Sequence, residues 1–260
     1  MLLMHHVHRH MPISAVAQVR WVLRPRAPRP RWKALLRPRE LVRERAHRFY
    51  RERLFRKLRQ QIEAEVGGAR PLPEGVEHLE LESWRINSAE SCARIAGLKA
   101  DILVVTSAPI LKPAFFTLPR LGTLNIHYGI APRYRGEHTL FWPLRLGDYD
   151  NIGVTVHHID QGVDTGRVLA RGYLPLSPAD TEARLWAKSV NLAAELVAEI
   201  LKEAELRGRL PEGRAQEAAG DRRAIRANDR LPRHDLRYWI SRHVQGRLPP
   251  ERERRIERFY

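Results

Sequence analysis

At 260 residues and 43% hydrophobic content, the chain can bury a full domain core, which excludes a disordered protein. A single cysteine, Cys92, excludes an intramolecular disulfide and a cysteine-built zinc site, and it favours a reducing, cytoplasmic setting. The net charge of +16 is local, because residues 1–59 hold 17 Lys/Arg against 3 Glu while the rest hold 29 against 27.

The opening MLLMHHVHRHMPIS has too short an apolar stretch for a signal peptide, and no run approaches the roughly 18 apolar residues that span a bilayer. From Arg39 to Ile62, the residues Val42, Ala46, Tyr50, Leu54, Leu58 and Ile62 recur every four positions, flanked by Phe49 and Phe55, with arginines on the other faces. That spacing predicts one amphipathic helix. Either its apolar face packs on the domain and its arginines are solvated, or it touches RNA, anionic lipid or a phosphorylated substrate, alone or with the preceding RPRAPRPRWK segment.

Beyond Gly67 the pattern alternates strand and helix. Val76 to Leu81 reads as a strand, and Asn87 or Ser88 as the cap of a helix to about Leu98. Ala100 to Thr106 is a continuous apolar run suited to a strand covered on both faces. Pro109 to Phe116 reads as a short helix, Gly122 to His127 as the next strand, and His138 to Leu146 as a helix disturbed by Pro143. Ile152 to Ile159 and Arg167 to Leu176 form a strand pair around the turn DQGVDTG. Asp180 or Thr181 opens the longest helix, striped by Trp186, Val190, Ala193, Val197 and Leu201 and stopped by Gly208. Pro211 to about Ala227 reads as a linker, followed by a helix around Asp235 to Val244. The divisions are a basic arm and helix over 1–66, an α/β domain over 67–210, and a linker with a charged helical tail over 211–260. An open, mostly parallel sheet is expected, with its ligand site outside the carboxyl ends of the strands.

Asn125 and His127 stand two apart at such an end, so both project to one side while Ile126 enters the core. Asp164 follows 37 residues after His127, in a turn bounded by Gly162 and Gly166. A carboxamide, an imidazole and a carboxylate in one crevice suit direct attack of an amine on an acyl donor. Asn125 and His127 would donate to the oxyanion, and Asp164 would orient or charge His127 and relay the proton. No serine elbow or activated cysteine points to a covalent intermediate. His157 and His158 point to opposite faces of a strand, and with Glu137 and His138 they show no metal-ligand spacing, so no metal is expected. Neither GxxxxGK[ST] nor GxGxxG occurs.

Asn125-Ile126-His127, the loop APRYRG at 131–136 and the turn IDQGVDTG at 159–166 resemble the folate-dependent formyltransferase family, over about Ala100 to Leu201. That family contains methionyl-tRNA and sugar-amine formyltransferases. The resemblance implies a Rossmann-like α/β fold, 10-formyltetrahydrofolate as co-substrate, and Asn125, His127 and Asp164 as the catalytic trio. It also implies that the pterin lies against Ser107, Pro109, Ile110 and Leu111 and against Ile159, Asp160, Gly162 and Val163. Arg133, Tyr134, Arg135 and Gly136 border the acceptor. Family members open on an apolar strand where this chain has HHVHRHMPIS, so the sheet can lack its first strand. A start cut short, an altered acceptor site and lost activity are the readings that follow. A small or sugar-linked amine is the favoured acceptor and transfer RNA the less favoured one. A formyltetrahydrofolate hydrolase and an inactive scaffold binding nucleic acid or an anionic surface through its basic arm remain alternatives.

Overall fold

The computed structural model describes residues 4, 7–8, 11–22, 38–67, 71, 73–217 and 223–260. The RPRAPRPRWK segment lies outside the described residues. Strand β1 (Ala15–Arg20) precedes helix α1 (Pro38–Val66), β2 (Glu77–Glu82), α2 (Ala89–Gly97), β3 (Ile102–Thr106), α3 (Pro113–Phe116), β4 (Gly122–His127) and α4 (Phe141–Leu146). Then come β5 (Gly153–His158), β6 (Val168–Tyr173), α5 (Glu182–Arg207), α6 (Pro232–His243) and β7 (Arg255–Arg258).

The expected open α/β sheet forms, and its pairing changes direction at β4. β3 runs parallel to β4, whereas β4–β5, β5–β6 and β6–β7 are antiparallel, in the order β3-β4-β5-β6-β7. β1 and β2 make a separate parallel pair, with Ala15 opposite Glu77 and Arg20 opposite Glu82. A strand therefore does form near the start of the chain, but it joins β2 and not the five-stranded sheet. The two sheets share an apolar cluster in which Leu81, Ile86, Ile95, Leu111 and Phe115 are buried and Val19, Leu79, Leu103, Val105 and Ile159 pack against them.

The main core lies between β4–β6 and α5. Leu124, Ile126, Val154, Val156 and Leu169 meet Leu185, Leu192, Leu196 and Ile200 there. Thr181 caps α5 by accepting from Arg184 N, and Gly208 ends it in the left-handed region. The buried stripe is rotated from the expected one, for Trp186, Val190 and Leu201 are only partly buried. At 29 residues α1 is longer than α5 at 26. It packs on α5, and Tyr50, Leu54, Leu58 and Ile62 are all half-buried, whereas its upper apolar residues are not: Val42 is 68% and Phe49 65% exposed.

Several boundaries move for local reasons. Ser88, not Asn87, caps α2, since its hydroxyl accepts from Ser91 N at 3.2 Å. Asn87 instead clamps the loop before α3, donating to Ile110 O and accepting from Lys112 N. α3 begins only at Pro113, in the first helical turn where a missing N–H costs nothing. α4 begins at Phe141, because His138 sits at φ +57° and breaks the run. Pro143 is accommodated in its first turn.

The segment read as a linker is stitched to the domain. Arg214 exchanges backbone hydrogen bonds with Val168, Ile225 N donates to Arg135 O, and Glu137 N donates to Ile225 O. The tail beyond α6 adds β7 to the sheet edge, which the expected helical tail omits. No helix among the described residues is long and apolar enough to cross a membrane.

Candidate active site

Alternation along β4 turns Asn125 and His127 to one side, while Leu124 and Ile126 enter the core. The antiparallel register places Asn125 opposite His157. The β5–β6 turn then returns Asp164 to the same end of β4, at φ +53°, a left-handed backbone that non-glycine residues seldom adopt. Two hydrogen bonds from Gln216 Nε2, to Asp164 O at 2.9 Å and Gly166 O at 2.7 Å, brace that turn.

The Asp164 carboxylate is the hub. Its Oδ1 accepts from Asn125 Nδ2 at 3.2 Å and lies 3.5 Å from His157 Nε2. Its Oδ2 accepts from Gly136 N at 2.7 Å and lies 3.3 Å from His127 Nδ1. Burial alone would raise this carboxyl, but the His127 and His157 rings and the Gly136 N–H outweigh it and hold the group well below the usual carboxylate range. His127 is 5% exposed, and its Nε2 donates to Tyr134 O at 2.7 Å. Burial lowers its pKa against the pull of Asp164. With the ring neutral and its proton on Nε2, Nδ1 faces Oδ2 with an unshared pair, so the gap between them can take up one proton.

Backbone contacts hold this loop against the ring. Thr155 Oγ1 donates to Gly129 O and accepts from Ala131 N. A Cβ at Gly129 would stand 2.7 Å from both His127 Nε2 and Thr139 Cβ, and one at Gly136 (φ +91°) would stand 2.1 Å from Ile225 O. Only glycine fits either place.

Asn125, His127 and Asp164 are thus brought together with Gly136. Arg133 and Tyr134 are directed elsewhere: Arg133 Nε and Tyr134 Oη both donate to Asp148 Oδ2, at 2.6 and 2.8 Å. Tyr134 reaches the trio through its carbonyl, and Arg135 through the loop backbone paired with Ile225. In the two segments assigned to the pterin, Leu111 is buried in the smaller core and Ile159 packs against it, so both segments converge there. Ile110 is 72% exposed beside them, while Ser107 is at φ +50°. Asp160 is occupied within its own turn, accepting from Gly162 N and Thr165 Oγ1.

His157 joins the site although nothing in its sequence neighbourhood marks it for that place. Its Nδ1 donates to His158 O at 2.7 Å, which leaves Nε2 to accept from Asn125 Nδ2 at 3.1 Å. His158, its neighbour on the strand, turns to the other face, where its Nε2 donates to Pro211 O. The place of His157 opposite Asn125 is a matter of register, which the pattern of one strand at a time does not contain. Replacing His157 with Leu leaves the second Asn125 N–H without an acceptor and should lower turnover about tenfold. His157→Gln, which keeps an acceptor, should recover part of the loss, and steady-state rates of both variants check this.

The fold and site define an open α/β protein with a carboxamide, imidazole and carboxylate gathered at the carboxyl end of a central strand. The family model described as formyl transferase matches residues 59–201, more than half of the chain, and the chain belongs to that family. It is 35% identical to the methionyl-tRNA formyltransferase of Aromatoleum aromaticum over 129 residues, 49% of this chain and 39% of that protein. It is 38% identical to the same enzyme of Dechloromonas aromatica over 127 residues, 48% of this chain and 39% of that protein. The chain thus spans about two fifths of the length of these curated relatives. The formyltransferase PseJ from Anoxybacillus kamchatkensis, solved with UDP-4,6-dideoxy-4-formamido-L-AltNAc and tetrahydrofolate, shares the fold at a TM-score of 0.50 and 18% identity. That likeness covers 75% of this chain and 93% of PseJ.

Proposed function

We propose that this chain transfers a formyl group from 10-formyltetrahydrofolate to an amine by direct attack, with Asn125, His127 and Asp164 as catalytic residues. The observation that carries the reading is the single carboxylate in reach of Asn125 Nδ2, His127 Nδ1 and Gly136 N, in a chain of the formyl transferase family. The folate supplies a formyl group on nitrogen, activated toward attack. The segments Ser107–Leu111 and Ile159–Val163 fit it in that both pack on the smaller apolar cluster, the second running up to Asp164, and offer exposed apolar side chains in Ile110 and Val163.

Asn125 donates an N–H to the formyl oxygen as that oxygen gains charge, exchanging its bond to His157 for one to substrate. The attacking nitrogen gives up its proton to the space between His127 Nδ1 and Asp164 Oδ2. The ring becomes a cation next to the oxyanion, and each such donor is worth on the order of 3 kcal/mol of barrier. The pair then returns the proton to the leaving nitrogen as the carbon–nitrogen bond breaks, so atoms and charge balance with no covalent enzyme intermediate.

A small or sugar-linked amine is the first acceptor to test and methionyl-tRNA, named in the relatives, the second. Purified protein incubated with 10-formyltetrahydrofolate should consume the donor only when a productive amine is added, with the formamide seen by mass spectrometry. Consumption without any amine would indicate the hydrolase, and no consumption with either acceptor class would overturn the reading.

A further inference from the structure

Many described arginines of the carboxyl-terminal half find carboxylates: Arg223 pairs with Asp229, Arg254 with Glu195 and Arg258 with Glu199. Where α6 packs on α4 this pattern breaks. A cleft of about 240 Å³ opens there, lined by Arg145, Arg237, Ile240, Ser241, Gln245 and Arg247. Each of its five polar lining residues presents hydrogen-bond donors, and none is acidic.

Among the described residues, Arg145, Arg237 and Arg247 make no ion pair. Arg145 Nε is buried without a hydrogen-bond partner, while its guanidinium carbon lies 5.7 Å from the Trp142 ring centre. Burial, and after it the like charge of Arg237, lowers the Arg145 pKa; burial and then Arg145 do the same to His234 on α6. Three guanidinium groups around one opening, with no ion-pair partner among the described residues, repel one another. A dianion would remove that repulsion and take up the unused forks.

We propose that the α4–α6 cleft is a binding site for a phosphate-bearing ligand, held by Arg145, Arg237 and Arg247 with Ser241 and Gln245 as neutral donors. A guanidinium fork matches two phosphate oxygens at once, and the cleft has room for a phosphoryl or pyrophosphoryl group with the rest of its ligand outside. None of its lining residues belongs to the Asn125–His127–Asp164 site, and α6 lies beyond the 59–201 family match. The inference therefore stands apart from the formyl-transfer reading.

Calorimetric titration of the full chain with pyrophosphate, at constant ionic strength, tests it. Saturable binding is expected, weakened at least tenfold in Arg145→Gln/Arg237→Gln and also weakened in Arg247→Gln, a surface change that keeps the fold. Donor consumption by the folded variants with a small amine should stay at the wild-type level. A nucleoside diphosphate and a short single-stranded RNA then compete with the pyrophosphate, and the one that displaces it identifies the source of the phosphate. Absence of saturable binding, equal affinity in the folded variants, or displacement by neither competitor, which would mean an adventitious ion only, overturns the proposal.

Discussion

Asp164→Asn is expected to cut turnover by a factor of about a hundred to ten thousand, the range of a positioned acid–base group, with little change in donor affinity. Asparagine can still accept from Gly136 N, so the loop need not move. What it cannot do is hold a proton against His127 Nδ1, which lies 3.3 Å from the present carboxylate oxygen. With its oxygen kept on Gly136 N, the new amide nitrogen stands where Asn125 Nδ2 now finds an acceptor, so the carboxamide loses its anchor. Single-turnover rates separate this from a folding defect, provided the circular dichroism spectrum and melting temperature stay close to the parent. Wild-type turnover in the folded variant would remove Asp164 from the mechanism and leave the convergence of the site unexplained.

The parts of this site that depend on local rules are legible in the amino-acid sequence alone. Asn125 and His127 share a side because strand side chains alternate, and Asp164 sits in a glycine-bounded turn between two strands with little freedom to leave that end of the sheet. The parts that depend on pairing are not. His157 meets Asn125 only because β4 and β5 run antiparallel in one register, and the same residues slipped by one would point His157 away. Ile225 supports the 131–136 loop through backbone bonds to Arg135 and Glu137, which the polar composition around it does not reveal. β7 escapes notice for a similar reason: Arg255, Glu257 and Arg258 suit an exposed edge strand, where charge deters further pairing, and that gives no apolar alternation to read. The loop at Arg133 and Tyr134 falls where expected in the chain, but both side chains donate to Asp148, a partner 14 or 15 residues away that the loop's own sequence does not point to.

Arg230→Met should be among the most destabilising single changes in the protein, because this arginine joins the basic helix, the α/β domain and the charged tail, three regions that composition alone keeps apart. Its side chain is 3% exposed and forms a two-pronged pair with Glu182 on α5 at 2.8 and 2.9 Å. The same guanidinium reaches Asp235 on α6 at 2.6 Å and lies 3.6 Å from the centre of the Phe141 ring on α4. Tyr50 on α1 donates to the other oxygen of Asp235, so the basic helix is tied into the cluster through a neutral group. Methionine preserves much of the volume but strands the carboxylate of Glu182 in a buried place and that of Asp235 in a half-buried one, which costs about 3–5 kcal/mol and should lower the melting temperature by roughly 10 °C. Arg230→Met/Glu182→Leu should recover part of that loss, since the larger share of the penalty is the unpaired charge and not the missing bond. A melting temperature within about 2 °C of the parent for the single variant would mean that water already reaches the cluster and that α1 and α6 are held by apolar contacts alone. The site would feel the change as well: Arg230 Nη1 lies 3.5 Å from His138, which ends the loop carrying Tyr134 and Gly136. Loosening the cluster should therefore lower turnover in the folded fraction, with the effect falling on kcat before KM.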